Sequence, residues 1–192
     1  NVGSKVAAAC RRLGMRVLLN DPPREEREGE GSFTDLESIR READFITFHT
    51  PLTRAGRHAT FHLADDHFFA DLPKKPFILN AARGGVTCNR SLTEALQEGK
   101  VRGAVIDCWE NEPDISRELL QLADIATPHI AGYSADGKWT ATKMSIENLI
   151  QFFAMDAAPH YASIPAPEQP IIDLKDIPGE SQLAHAVWHT YD

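Results

Sequence analysis

The sequence holds three cysteines among 192 residues, Cys10, Cys88 and Cys108, and no two of them form a C-x-x-C pair. An odd, widely spaced set favours a reducing compartment, read here as the cytoplasm, over a disulfide framework. No apolar run approaches the ~20 residues that cross a bilayer. No stretch has the order of a secretory leader. Positive charge is in deficit: 20 Lys and Arg stand against 28 Asp and Glu, a formal net charge of −8. That balance argues against nucleic acid or a membrane surface as partner. Internal repeats and low-complexity tracts are also lacking. Position 1 is Asn rather than Met, so a processed or truncated start is expected.

What is present is the composition of a packed domain, 42% hydrophobic and 25% charged. Helix-like and strand-like stretches alternate along it. Residues 2–13 carry Val2, Val6, Ala9 and Leu13 at helical spacing and stop at Gly14. The apolar run 16–20 ends in Asp21-Pro22-Pro23. Residues 34–41 read as a helix capped by Thr34 with Glu37 three positions on, and 25–30 as a solvated charged loop. Strand-like runs follow at 45–49, 77–81, 104–107 and 124–127, with helices expected over 89–98, 116–122 and 138–153. Short strands alternating with helices predict an α/β fold with a Rossmann-like, doubly wound parallel sheet. Residues 1–154 form its expected domain, the proline-rich 155–170 a linker, and 171–192 the start of a further domain.

The opening residues resemble part of a dinucleotide fingerprint. G-x-G-x-x-G follows a strand and opens a helix, with an acidic residue about 20 positions on. Asn1-Val2-Gly3 reads as its tail, with Gly3 as the glycine that lets helix and sheet pack closely. The chain is therefore expected to lack the first strand and the first two glycines. Asp21 stands 18 residues after Gly3. A carboxylate there accepts bonds from ribose hydroxyls and repels a 2′-phosphate, which favours NAD over NADP; Arg24 and Arg27 nearby weaken that inference. Alone, this half-motif reads equally well as an ordinary helix and a turn aspartate.

Three later segments change the balance. "ILNAARGG", "AVIDCWENEP" and "IATPHIAGYS" are each an apolar strand running straight into polar residues. In open parallel sheets ligands bind beyond the carboxyl ends of the strands, so Arg83, Glu112 and His129 are expected in one crevice. Histidine suits removal of a hydroxyl proton, its ordinary pKa of ~6.5 being near neutrality. A carboxylate on the other ring nitrogen fixes the tautomer and stabilises the imidazolium. The planar fork of arginine binds both oxygens of a carboxylate. Singly, each residue reads as a turn or structural residue; three at three strand ends do not.

In order and spacing, "NAARGG", "DCWENEP" and "TPHIAGY" resemble the NAD-dependent D-2-hydroxyacid dehydrogenases over residues 1–155. The resemblance implies that Arg83 holds the substrate carboxylate, His129 transfers the proton and Glu112 is its partner. It also implies cofactor contacts from Thr50, Asp107 and Gly132, beside Asn1, Val2, Gly3 and Asp21. Asp107 reads equally as a strand-end cap. Within the family, Asp21-Pro22-Pro23-Arg24, Tyr133-Ser134 and the "IPAPE" linker resemble a branch that acts on a small phosphorylated 2-hydroxy acid. There Tyr133 contacts substrate and a C-terminal domain makes a homodimer. Other members of the family, or an NAD-binding module without chemistry, are the alternatives.

Two groups are set aside. His58 and His62 have the i, i+4 spacing of metal ligands on a helix, but Thr60 and Phe61 between them oppose a helix and hydride chemistry needs no metal. Cys108 lies near the expected crevice and reads as core packing.

Overall fold

A computed structural model describes residues 2–29, 31–164, 166 and 169–190. The chain forms two compact units, Asn1–Gly132 and Tyr133–Asp192.

The first unit begins with helix α1 (Val2–Arg12), which buries Ala7. Residues 16–20 are extended, but among the described residues they form no sheet ladder. Their recorded ties run to Thr34, which donates its N–H to Leu19 O at 2.6 Å and accepts at its carbonyl from Asn20. This apolar run is therefore extended but not a strand, which needs a ladder partner. Helix α2 (Pro22–Glu28) replaces the expected charged loop. Two prolines open it, because a proline in the first helical turn gives up no intrahelical bond. Helix α3 (Leu36–Glu42) is capped by Asp35, whose carboxylate accepts from Ser38 N at 2.7 Å. The cap is thus one residue later than the Thr34 box suggested, and an ionised oxygen is the stronger acceptor.

Strand β1 (Phe45–Phe48), helix α4 (Asp66–Ala70), strand β2 (Phe77–Asn80), helix α5 (Asn89–Gln97), strand β3 (Gly103–Ile106), helix α6 (Arg117–Leu122) and strand β4 (Ile125–Ala126) follow. The sheet is wholly parallel in the order β1-β2-β3-β4. That sequential order is the order of one half of a doubly wound sheet. Strands β2 and β3 lie centrally, and Ile78, Ala104 and Ile106 are fully buried. Phe48, Phe68, Leu92 and Leu119 extend the same core. Gly103 is obligatory at its strand start: a Cβ there would collide with the Asp124 carboxylate and the Phe77 ring.

Arg40 is buried in this unit at 5% exposure. Its guanidinium donates to Phe68 O at 2.9 Å, to His67 O at 2.8 Å and to the Glu37 carboxylate at 2.6 Å. It ties α3 to α4 and satisfies carbonyls that would otherwise be buried unpaired.

The second unit contains helix α7 (Ala135–Phe152), capped by Ser134. Trp139 donates from Nε1 to Ala162 O at 2.6 Å and meets Tyr161 edge-on. The described residues of 155–170 form neither helix nor strand, and helix α8 (Gln182–Thr190) follows a 3-10 turn. Among the described residues no helix is long and apolar enough to cross a membrane.

Candidate active site

The three polar segments leave the sheet at the same end. Asn80, the last residue of β2, is buried and shapes the first of them. Its side-chain oxygen accepts from Ala82 N, and its amide donates to Arg83 O at 3.0 Å. Its backbone carbonyl accepts from Asp107 N and Cys108 N, joining the ends of β2 and β3. Arg83 is thereby presented outward and exposed, and its guanidinium has one recorded hydrogen bond, to Ala82 O. The next residue, Gly84, lies directly against the Trp109–Glu110 peptide, where any Cβ would collide with backbone. The Arg83 turn and the 107–112 loop are therefore interlocked.

Glu112 and His129 form a pair. His129 Nδ1 lies 2.8 Å from Glu112 Oε2, and Glu112 Oε1 accepts from Trp109 N at 2.8 Å. Burial opposes the Glu112 charge, but the Trp109 N–H and the His129 ring outweigh it and hold the carboxyl below its usual range. With Nδ1 engaged, Nε2 is the ring atom left for proton transfer. Trp109, itself buried, donates from Nε1 to Thr127 O at 2.9 Å and braces the two loops.

Asp107 holds the loop that carries His129. Its Oδ1 accepts from Thr127 Oγ1 and from Ile130 N, both at 2.7 Å, and its Oδ2 from Ala131 N at 3.1 Å. Burial raises the cost of its charge, yet these bonds and the nearby His129 hold its carboxyl below the usual value. His129 itself adopts φ +56°, a conformation that side chains seldom take without such surrounding constraint. These bonds are what the cap reading of Asp107 calls for. Cys108 is buried; desolvation, with Asp107 and Glu112 nearby, pushes its thiol up to about 12 against the opposing charge of Arg83. It is an inert packing residue.

The residues assigned to the cofactor lie at strand and helix starts and ends. Thr50, two residues beyond β1, has a buried Oγ1 with no hydrogen-bond partner among the described residues, an atom suited to a ligand. Val2 and Gly3 open α1, and a Cβ on Gly3 would meet His49 Cβ at 3.2 Å, so helix and strand approach closely there. Asn1 lies outside the described residues. Asp21 caps α2, accepting from Arg24 N at 3.2 Å, and Arg24 reaches Ser4 of α1 at 3.4 Å, which sets Asp21 near the first turn of α1. Gly132 has open space around it. Tyr133 belongs to the second unit, exposed, with the Lys138 ammonium 3.9 Å from its ring centroid. Sequence reasoning missed Asn80 and Trp109; a buried-strand asparagine directly before a turn was the available signal for the first.

The chain is similar to known proteins. Residues 1–131 match the family described as D-isomer specific 2-hydroxyacid dehydrogenase, NAD binding domain. An erythronate-4-phosphate dehydrogenase of Bacteroides thetaiotaomicron is 53% identical over 92% of this chain and 50% of its own length. That of Porphyromonas gingivalis is 42% identical over 100% of this chain and 52% of its own length. The chain thus spans about half the length of these curated relatives. Among solved structures, D-lactate dehydrogenase from Aquifex aeolicus, complexed with NAD and lactic acid, superposes with a TM-score of 0.64 at 26% identity, covering 80% of this chain and 50% of that one. The chain belongs to the D-isomer specific 2-hydroxyacid dehydrogenase family and carries its NAD-binding domain.

Proposed function

We propose that a protein carrying this chain oxidises 4-phospho-D-erythronate to 3-hydroxy-2-oxo-4-phosphooxybutanoate with NAD, a step of pyridoxal phosphate synthesis. The observation that carries the chemistry is the His129–Glu112 pair, 2.8 Å apart, with Glu112 on a loop that packs against Gly84, the residue after Arg83. The substrate is carried by the relatives named erythronate-4-phosphate dehydrogenase.

Bound NAD supplies the hydride acceptor. Thr50, Asp21 and the start of α1 with Val2 and Gly3 fit a dinucleotide: an orphaned hydroxyl, a carboxylate for ribose hydroxyls, and a helix start that favours phosphate. Gly132 and Asn1 are assigned to the same cofactor. Arg83 binds the substrate carboxylate through its outward fork and so orients the neighbouring carbinol carbon. His129 Nε2 takes the hydroxyl proton as the hydride departs. Glu112, ionised and anchored by Trp109 N–H, stabilises the imidazolium. Asp107 acts through the His129 loop. Tyr133 is assigned to the substrate.

The remaining assignments follow the same reading. Residues 155–170 serve as a linker and 171–192 begin a domain that pairs two copies. Leu183, Val187 and Trp188 are exposed on α8, which suits an apolar interface. Three free thiols, two of them buried, suit the cytoplasm. The test is turnover, in a protein of the relatives' full length carrying this chain, of 4-phosphoerythronate against 3-phosphoglycerate and glycerate. The expected preference is for the first, and preference for either other acid refutes the assignment.

A further inference from the structure

His62, Cys88 and Glu110 come from three separate segments, and their ligating atoms all lie within 4.8 Å of one another. His62 belongs to the loop between β1 and α4, Cys88 sits at the N-cap of α5, and Glu110 is in the loop after β3. The sequence paired His62 with His58, but residues 58–62 are not helical. His62 instead turns to Glu110, its Nε2 2.5 Å from Oε1. The placement is firmly imposed. His62 has φ +52°, its ring stacks on Phe61 at 3.9 Å, and its N–H donates to Gly85 O at 2.8 Å. Ala64 N donates to Val86 O, and Cys88 N to Ala64 O, which joins this loop to the Cys88 segment. Glu110 Oε2 accepts from Asn89 N at 2.7 Å, so the carboxylate has a fixed orientation with Oε1 directed at the histidine. Cys88 is buried and His62 and Glu110 are partly open.

We propose that His62, Cys88 and Glu110 bind one divalent transition cation of the zinc class, with water in the fourth position. One thiolate, one imidazole and one carboxylate are the donor types of zinc. Calcium and magnesium are disfavoured, since they take about six or more oxygens, or several retained waters. A tetrahedral zinc site sets its ligands ~3.3–3.8 Å apart, given bonds of ~2.0–2.3 Å, a spacing within the 4.8 Å that spans this group. The charges match: a thiolate and a carboxylate neutralise the dication. Loading releases the Cys88 thiol proton to solvent, Glu110 coordinates through its carboxylate, and His62 donates its Nε2 lone pair with its proton on Nδ1; nothing is oxidised or reduced. The Asn89 N–H holds the carboxylate as outer partners of metal ligands do.

The cation would cross-link the loop that begins near Thr50, the segment five residues after Arg83 and the loop two residues before Glu112. It touches none of these three side chains. The proposal is independent of the substrate assignment above.

The test uses the intact chain, stripped with chelator and titrated with Co2+ and then with Zn2+ in competition. The expected result is one equivalent bound, with a thiolate-to-cobalt charge-transfer band. Zn2+ raises the melting temperature of the wild type, as a ligand of the folded state must. Cys88→Ser abolishes the band, and His62→Gln and Glu110→Gln each weaken binding by at least ~10–100-fold, the cost of losing even an outer-shell partner. Cys10→Ser and His67→Gln, outside the group, leave binding unchanged. Binding below one equivalent, or full affinity in the His62 and Glu110 variants, overturns the proposal. These two variants retain polar side chains at partly open positions and keep the test decisive if Cys88→Ser does not fold.

Discussion

Replacing Asp107 by asparagine separates its two readings, as cofactor contact and as strand-end cap. The wild-type carboxylate accepts three bonds from the 127–131 loop, two of them from backbone N–H groups. Asparagine retains one oxygen, which can serve Thr127 and Ile130. Its NH2 then faces Ala131 N–H, donor against donor. A hydrogen bond to a charged group contributes about 1.5–3 kcal/mol, and a buried group left unpaired costs about 1–3 kcal/mol. One bond lost, two weakened and a partly open loop that water can reach give about 2–4 kcal/mol of destabilisation at pH 7. The pH dependence follows from the depressed folded-state value. The carboxylate's contribution is complete above the unfolded pKa of ~3.9 and is lost as pH falls through the lower folded-state value. Asparagine does not titrate, so the gap between the two proteins is constant above about pH 4 and closes below it. Urea denaturation at a series of pH values measures it, with hydrogen exchange at Ile130 and Ala131 as the local readout. Equal stability at pH 7 with unchanged exchange at both amides, and a loss confined to nucleotide affinity, would refute the cap.

Two substitutions test the frame around the site. Arg40→Ala leaves the Phe68 and His67 carbonyls without their donor and is expected to cost about 2–4 kcal/mol, whereas Arg16→Ala, which removes an exposed pair with Glu42, is expected to cost about 0–1 kcal/mol; equal denaturation midpoints for the two would contradict the difference drawn from burial. Gly84→Ala drives a methyl into the Trp109–Glu110 backbone and is expected to cost about 3 kcal/mol, the upper end of overpacking, and to lower turnover by displacing Arg83; a fully stable, fully active variant would show that the two loops are not interlocked.

The sheet was legible because β1 to β4 are short apolar runs ending in polar turn residues, a local pattern. Helix α2 was hidden because Pro22 and Pro23 signal both a break and a helix start, and only the Asp21 cap distinguishes them. Helix α4 has five residues, too few for periodicity to register. The run 16–20 has strand composition, but a strand is a pairing, and pairing is not a local property. The same division runs through the site. Arg83, Glu112 and His129 each follow a strand of one parallel sheet, so their placement at one end of it was readable. The grip of Asp107 on Ile130 and Ala131, of Asn80 on Arg83 and of Glu110 on His62 spans chain separations or geometry that no local pattern encodes.

The central claim is that His129 moves the substrate proton and does not build the nucleotide site. In a protein of the relatives' full length carrying this chain, NADH affinity and turnover of 4-phosphoerythronate are measured together for wild type and His129→Ala. Loss of a general base lowers turnover by about 10²–10⁴-fold, with NADH affinity unchanged. Loss of NADH binding in step with turnover would make His129 a structural residue and contradict the account.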